Sequence, residues 1–284
     1  MRLRSTHLDL PPEAASSRSL TMDAVFEVAG RVVETSASAG GPWDHAFQHG
    51  AAPAALVAWA AERLETDPPM RIVRLTLDLL RPVPVAPLEI RSEVVRQGRK
   101  IQVALISLLA GDVEVVRASV LKVLQSSPPL PEGLGETALD VPLPDECEAI
   151  SDEQRVSSTV ARSPFLKGVS ARPATRDEPR PGPAPIWFRA NQPIVGGQPT
   201  SPVMRAAIAA DFGNGVSSVL DPKKWSFING DVTLSLARPP VGEWILVNAD
   251  MSLGRDGGGV AAARLGDVEG YFGRSAQSLV IERR

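Results

Sequence analysis

Apolar positions along this chain follow one helical and one extended pattern, in the same order, twice. Residues 53–64 and 202–212 are alanine-rich and apolar nearly all round, and each begins at a proline. Ala, Leu and Met favour helix, and proline is accepted in a first helical turn, so both segments predict helices. A helix with no polar face has to be enclosed by other elements. Downstream of each, strand-length runs rich in Val, Ile and Leu recur between turn residues. In the first half these are 88–96, 100–110 and 112–124, with turns at Gln97-Gly98-Arg99 and Gly111-Asp112. In the second they are 243–253, 258–265 and 272–282, with turns at 254–257 and 267–270. Shorter extended stretches at 23–34 and 186–192 precede the helices.

The two halves share a sequence repeat. Leu75-Thr-Leu-Asp-Leu-Leu-Arg-Pro82 aligns with Val232-Thr-Leu-Ser-Leu-Ala-Arg-Pro239 at an offset of 157, with five of eight positions identical. Between the halves, eleven of the chain's 26 prolines fall within 126–185. Proline lacks an amide donor and disfavours helix in the residue before it, so this stretch predicts an extended connector. The expected organisation is therefore 20–125, a proline-rich connector at 126–184, and 185–284. Each half reads as a curved antiparallel sheet whose apolar face wraps one long helix, an α+β architecture present in tandem. Long sheets with exposed edges tend to pair, so the halves should join edge to edge.

Composition narrows the function. The chain has 284 residues, and Lys plus Arg (30) nearly balance Asp plus Glu (33), which argues against a nucleic-acid partner. One cysteine, Cys147, allows no intrachain disulfide, and its acidic surroundings do not favour a reactive thiolate. No apolar run approaches the roughly 18 residues of a membrane span. Met1 to Pro12 lacks a signal-peptide apolar region. A soluble cytoplasmic protein with no membrane partner is the expectation. No Gly-x-Ser-x-Gly elbow, dinucleotide fingerprint or P-loop occurs. His45 and His49 have a four-residue spacing but no evident third ligand, so neither a metal nor a cofactor is expected. By their alternation with Val232 and Leu234, Asp231 and Thr233 read as solvent-facing.

Several segments resemble the double-hotdog acyl-CoA thioesterases of the thioesterase II type. They include Ala210-Asp-Phe-Gly-Asn-Gly215, Trp225-Ser-Phe-Ile-Asn-Gly-Asp-Val-Thr-Leu234 and Arg238-Pro-Pro-Val-Gly-Glu-Trp-Ile245. Asp267-Val-Glu-Gly270 and Gln277-Ser-Leu-Val-Ile-Glu-Arg283 extend the likeness, and the first half adds Trp43, His49-Gly50 and Arg96-Gln-Gly-Arg99. The resemblance implies a tandem hotdog that hydrolyses acyl-CoA in fatty acid metabolism and assembles as a homo-oligomer. It also implies three catalytic side chains in the second half, which fall by position on Asp211, Ser252 and Gln277.

The chemistry is coherent: hydrolysis needs a positioned water, a base to activate it, and donors for the carbonyl oxygen. The acyl chain would lie in an apolar tunnel beside the helix, with the CoA phosphates near basic residues on the rim. Read from the residues alone, the default for Asp211 is a hydrogen-bonded structural residue at a helix end, ahead of Gly213-Asn-Gly215. A hotdog that only binds acyl groups, or one that hydrates or dehydrates a double bond, is the alternative function. The first half should lack a working site. An offset of 149 brings Asp211 onto Glu62, but an offset of 157 brings Ser252 and Gln277 onto Val95 and Val120, which cannot donate hydrogen bonds.

Overall fold

Both alanine-rich segments are helices enclosed by sheet. The computed structural model describes residues 24–126, 128, 138–150, 163–175 and 183–284. Its helices are α1 (Ala51–Glu62), α2 (Pro164–Lys167), α3 (Pro202–Ala210) and α4 (Gly213–Ser217). The first six strands are β1 (Phe26–Ala29), β2 (Val32–Thr35), β3 (Met70–Leu79), β4 (Leu88–Gln97), β5 (Ile101–Ala110) and β6 (Val113–Leu124). The remaining seven are β7 (Val169–Pro173), β8 (Ile186–Ala190), β9 (Trp225–Asn229), β10 (Asp231–Leu236), β11 (Ile245–Leu253), β12 (Gly258–Asp267) and β13 (Gly270–Arg283). Among the described residues no helix is long and apolar enough to cross a membrane.

Helix α1 begins two residues earlier than its proline suggests. Gly50 is the N-cap, which leaves Pro53 in the first turn, where an amide has no intrahelical partner to lose. All eleven residues from Ala51 to Ala61 are buried, as a helix without a polar face requires. Helix α3 stops at Ala210, capped by Asp211, and the chain turns through Phe212 into α4.

The strands form one sheet in the order β1-β2-β4-β5-β6-β3-β10-β13-β12-β11-β8-β7, with β9 also paired to β13. The order reads alike from either end, as two hotdogs fused edge to edge require. At the centre β3 and β10 run antiparallel, and Thr76 lies directly opposite Thr233 with the hydroxyls 3.4 Å apart. These two threonines are equivalent in the repeat, so the pseudo-twofold axis passes between them. Thr233 therefore belongs to the seam, and the Asp231 carboxylate accepts from the Ser278 amide at 2.6 Å. Neither side chain is merely solvated.

The proline-rich stretch is more than a connector. Ser163 caps α2 with Pro164 in its first turn, and Val169–Pro173 forms the edge strand β7 against β8. Pro164 and Pro173 sit where a missing amide is least costly, at a helix start and the end of an edge strand. Residues 127, 129–137, 151–162 and 176–182 of the expected connector, and 20–23 of the expected first hotdog, lie outside the described residues.

Behind the seam, the Arg-Pro of the second repeat anchors a buried ion pair. Arg238 grips the fully buried Asp267 with both terminal nitrogens, one at 2.8 Å. The same carboxylate accepts from the amides of Val241 (2.7 Å) and Glu269 (2.9 Å). Burial alone would push the Asp267 carboxyl up, but Arg238 and the two amides outweigh it and hold it below the usual carboxylate range. Removing one partner leaves a charge buried and unpaired, so Asp267→Ala is expected to cost about 3–5 kcal/mol in denaturant unfolding. Because the folded carboxyl lies below its unfolded value of about 3.9, this stabilisation is complete above roughly pH 4 and is lost as pH falls through the folded value. A variant as stable as wild type at pH 7 would show that the pair contributes nothing.

Candidate active site

The two central helices pack antiparallel, so the C-terminal end of each meets the N-terminal end of the other. Asp211, 4% exposed, caps α3 with its amide bonded to Ile208 O at 3.2 Å. Its carboxylate lies against the first turn of α1. A Cβ on Gly50 would fall 2.5 Å from Asp211 Oδ1 and 2.9 Å from Oδ2, so only glycine lets the acid in. A helix N-terminus presents unpaired amides and a partial positive charge, which suits a carboxylate there.

Two side chains reach this carboxylate. Asn229, at the end of β9, donates from Nδ2 to Asp211 Oδ1 at 3.0 Å. His49 Nδ1 lies 3.1 Å from Oδ2. The same nitrogen accepts a hydrogen bond from the Ala51 amide at 3.2 Å, so its contact with Asp211 is a close approach without a hydrogen bond of its own. The imidazole stacks on Phe165 of α2 (5.4 Å between centroids) and meets the edge of Phe212 (5.6 Å). The stretch expected as a connector thus supplies one wall of the site.

Gln277 joins Asp211 from β13. It is 1% exposed, donates from Nε2 to the Asp211 carbonyl at 3.1 Å and accepts from the Asn214 amide at 2.8 Å. Ser252 does not join them. In the ladder of β11, β12 and β13, Gln277 shares a row with Ala261 and Met251, whereas Ser252 shares a row with Val260 and Ser278. Adjacent rows face opposite sides of a sheet. Ser252 is exposed on the outer face, and the inward position beside it is Met251. The expectation for Ser252 is corrected on this ground: its hydroxyl has the sheet between it and Asp211.

Asn229 and His49 were not anticipated. A signal for Asn229 exists in the repeat, because an offset of 157 places it over Ile72, a 4%-exposed core residue of β3. A polar residue where the other half has a core aliphatic marks a functional difference. Gly230 then separates β9 from β10, whereas β3 runs through as one strand. His49 carries no comparable signal, since its role depends on how the helices pack.

The pseudo-equivalent place in the first half is built differently. Glu62 ends α1 and accepts from Ser201 Oγ at 2.7 Å, and Ser201 accepts from the Met204 amide at 3.1 Å as N-cap of α3. Burial pushes the Glu62 carboxyl up, partly offset by the Ser201 hydrogen bond, Arg63 and Lys122. The ammonium of Lys122 donates to Leu64 O at 2.5 Å, and burial pushes it down to about 8 against the pull of Glu62. Val120, at the place of Gln277, is fully buried core. The arrangement caps a helix and fills the space that the second half leaves to Asn229 and Gln277.

Comparison with known proteins gives the same two-part picture. Residues 39–123 match the family described as acyl-CoA thioesterase N-terminal domain, and residues 144–281 match the acyl-CoA thioesterase C-terminal domain. Solved structures with the same fold include a hot dog protein of unknown function from Alicyclobacillus acidocaldarius. It is 17% identical with a TM-score of 0.69, covering 92% of this chain and 97% of that one. A putative thioesterase II from Thermobifida fusca is 16% identical with a TM-score of 0.67, covering 92% and 96%. An acyl-CoA thioesterase II from Mycobacterium marinum is 14% identical with a TM-score of 0.62, covering 89% and 92%. At these identities the likeness is one of fold. No curated protein is detectably similar in sequence.

The asymmetry between the two ends generates a paired expectation. Glu62→Gln should leave turnover within a few-fold of wild type, while Ser201→Ala should cost about 1 kcal/mol of stability through the lost cap. A large loss of turnover from Glu62→Gln in a folded protein would mean that the first half carries chemistry.

Proposed function

Because the chain belongs to the acyl-CoA thioesterase family through both of its halves, we propose that it hydrolyses acyl-CoA thioesters at the Asp211 site. The observation that carries this reading is a buried carboxylate seated on the first turn of α1 and held there by Asn229. A thioester carbonyl brought to that helix start would meet amide dipoles able to accept the negative charge developing on its oxygen. A water beside Asp211 transfers a proton to the carboxylate as its oxygen attacks the carbonyl carbon. The tetrahedral intermediate collapses, the C–S bond breaks, and the departing thiolate takes the proton from Asp211. The products are the free acid and CoA.

Asn229 orients the carboxylate and leaves its own amide oxygen to accept from the water. Gln277 fixes the turn that carries Asp211, and one of its two amide N–H groups remains after the bond to the Asp211 carbonyl. Ser252 has no part in this scheme.

A second reading rests on His49. An imidazole and a carboxylate that meet from different halves of the chain form the acid–base pair needed to add or remove water at a double bond conjugated to a thioester. Hydrolysis releases free thiol, whereas hydration bleaches the enoyl absorbance and releases none.

In a thiol-release assay on acyl-CoA, Asp211→Asn should lower the rate by about 10²- to 10⁴-fold, the usual cost of losing a general base. Asn229→Ala should also lower it strongly, and Ser252→Ala should stay within a few-fold of wild type. Wild-type turnover in a folded Asp211→Asn protein would end the assignment. Enoyl-CoA bleached without thiol release would favour the second reading.

A further inference from the structure

Both walls of the Asp211 site meet again farther out. One wall is the loop that carries His49, and Trp43 lies on it. The other is β9, whose alternate residues Asn229, Phe227 and Trp225 share one face. The walls touch where the edge of Phe227 meets Trp43, with ring centroids 6.1 Å apart and planes at 87°. From Asn229 to Trp225 is four residues of strand, about 13 Å, a span that an extended pantetheine arm can bridge.

The far end of this path is basic. Arg283 lies opposite Trp225 in the ladder, and the Arg284 amide bonds to Lys224 O at 2.9 Å. Lys223, Lys224, Arg283 and Arg284 are all exposed. The guanidinium of Arg284 lies 4.6 Å from the centre of the Trp43 ring, and that tryptophan is 42% exposed. Three acids are nearby but directed elsewhere. Asp44 accepts from the Ala46 amide, Asp221 accepts from the Lys223 amide, and Glu282 falls on the opposite face of β13 from Arg283.

We infer that this cluster is a specificity subsite that reads the phosphorylated nucleotide of the CoA handle. Lys224, Arg283 and Arg284 meet its phosphates, and Trp43 offers a face for the base. The inference rests on the thioesterase reading for the path from Asp211, and on its own geometry for the ligand. Aromatic faces accept nucleobases by stacking, and guanidinium groups pair with phosphate in bidentate fashion. A compact polyphosphate suits a small basic cluster set among acids, whereas the acidic surface of a carrier protein would spread over Asp44, Asp221 and Glu282 and be repelled.

The test is a Lys224→Glu/Arg284→Glu double variant, with Trp43→Ala alongside. CoA is titrated by calorimetry, and hydrolysis is followed on octanoyl-CoA, on octanoyl carrier protein and on octanoyl-N-acetylcysteamine, which lacks the nucleotide. The charge reversal should raise the Kd for CoA and the KM for octanoyl-CoA at least tenfold. It should leave kcat and the rate on the truncated thioester unchanged, and Trp43→Ala should act in the same direction. Unchanged CoA binding in the double variant overturns the inference, as does an equal loss on the truncated substrate or sensitivity confined to octanoyl carrier protein. If wild type hydrolyses the truncated thioester but does not bind CoA, the subsite fails and the hydrolase stands. If CoA binds in a charge-dependent way and neither thioester is hydrolysed, the hydrolase reading fails and the subsite stands.

Discussion

Everything in the site depends on the antiparallel contact between α1 and α3. A helix that is apolar all round has to be wrapped by sheet, and two such helices held side by side leave only their ends polar. Antiparallel packing brings an acidic C-terminal end to an electropositive N-terminal end twice. The chain uses the two ends differently. Glu62 reaches α3 through the Ser201 hydroxyl and reinforces a cap. Asp211 reaches α1 directly, because Gly50 has no side chain to keep it out. The first contact satisfies its carboxylate, and the second leaves a carboxylate with oxygen lone pairs to spare at the positive end of a helix.

The fused sheet keeps that contact in register. Pairing of β3 with β10 at Thr76 and Thr233 fixes the rotation of one half against the other, and the helices follow because each sits in the curve of its own half. A slip of one residue at the seam would turn every side chain of β10 to the other face, and with it the geometry of β9 and Asn229. The buried Arg238–Asp267 pair, with its two backbone amides, secures the turn by which the chain leaves β10. Stability elements and the site therefore lie along one continuous ladder.

Much of this was legible in the residues. The central helices, the strands and the tandem architecture follow from periodicity, and the offset of 157 between matching octapeptides reappears as the pair that straddles the pseudo-twofold axis. A hydrogen bond joins Gln277 to the Asp211 carbonyl. Ser252 lies apart from them because strand parity decides which side of a sheet a residue faces, and parity depends on a register that spacing alone does not supply. Asn229 is marked in the repeat by a difference, asparagine over Ile72, and not by an identity. His49 and the folded part of the proline-rich stretch depend on tertiary packing: Phe165 and the imidazole are distant in sequence and stack only once α2 docks beside the loop before α1.

The central claim is that Asp211 works from its seat on the first turn of α1. A double-mutant cycle on the rate of thiol release tests it most directly, using Gly50→Ala, Asp211→Asn and the combination. An alanine at 50 adds a Cβ where the carboxylate now lies, so by itself it should slow turnover at least tenfold. In the Asp211→Asn background it should add almost nothing, because the group it displaces no longer acts. Losses that multiply in the double variant would show that Gly50 and Asp211 serve separate purposes and would contradict the account.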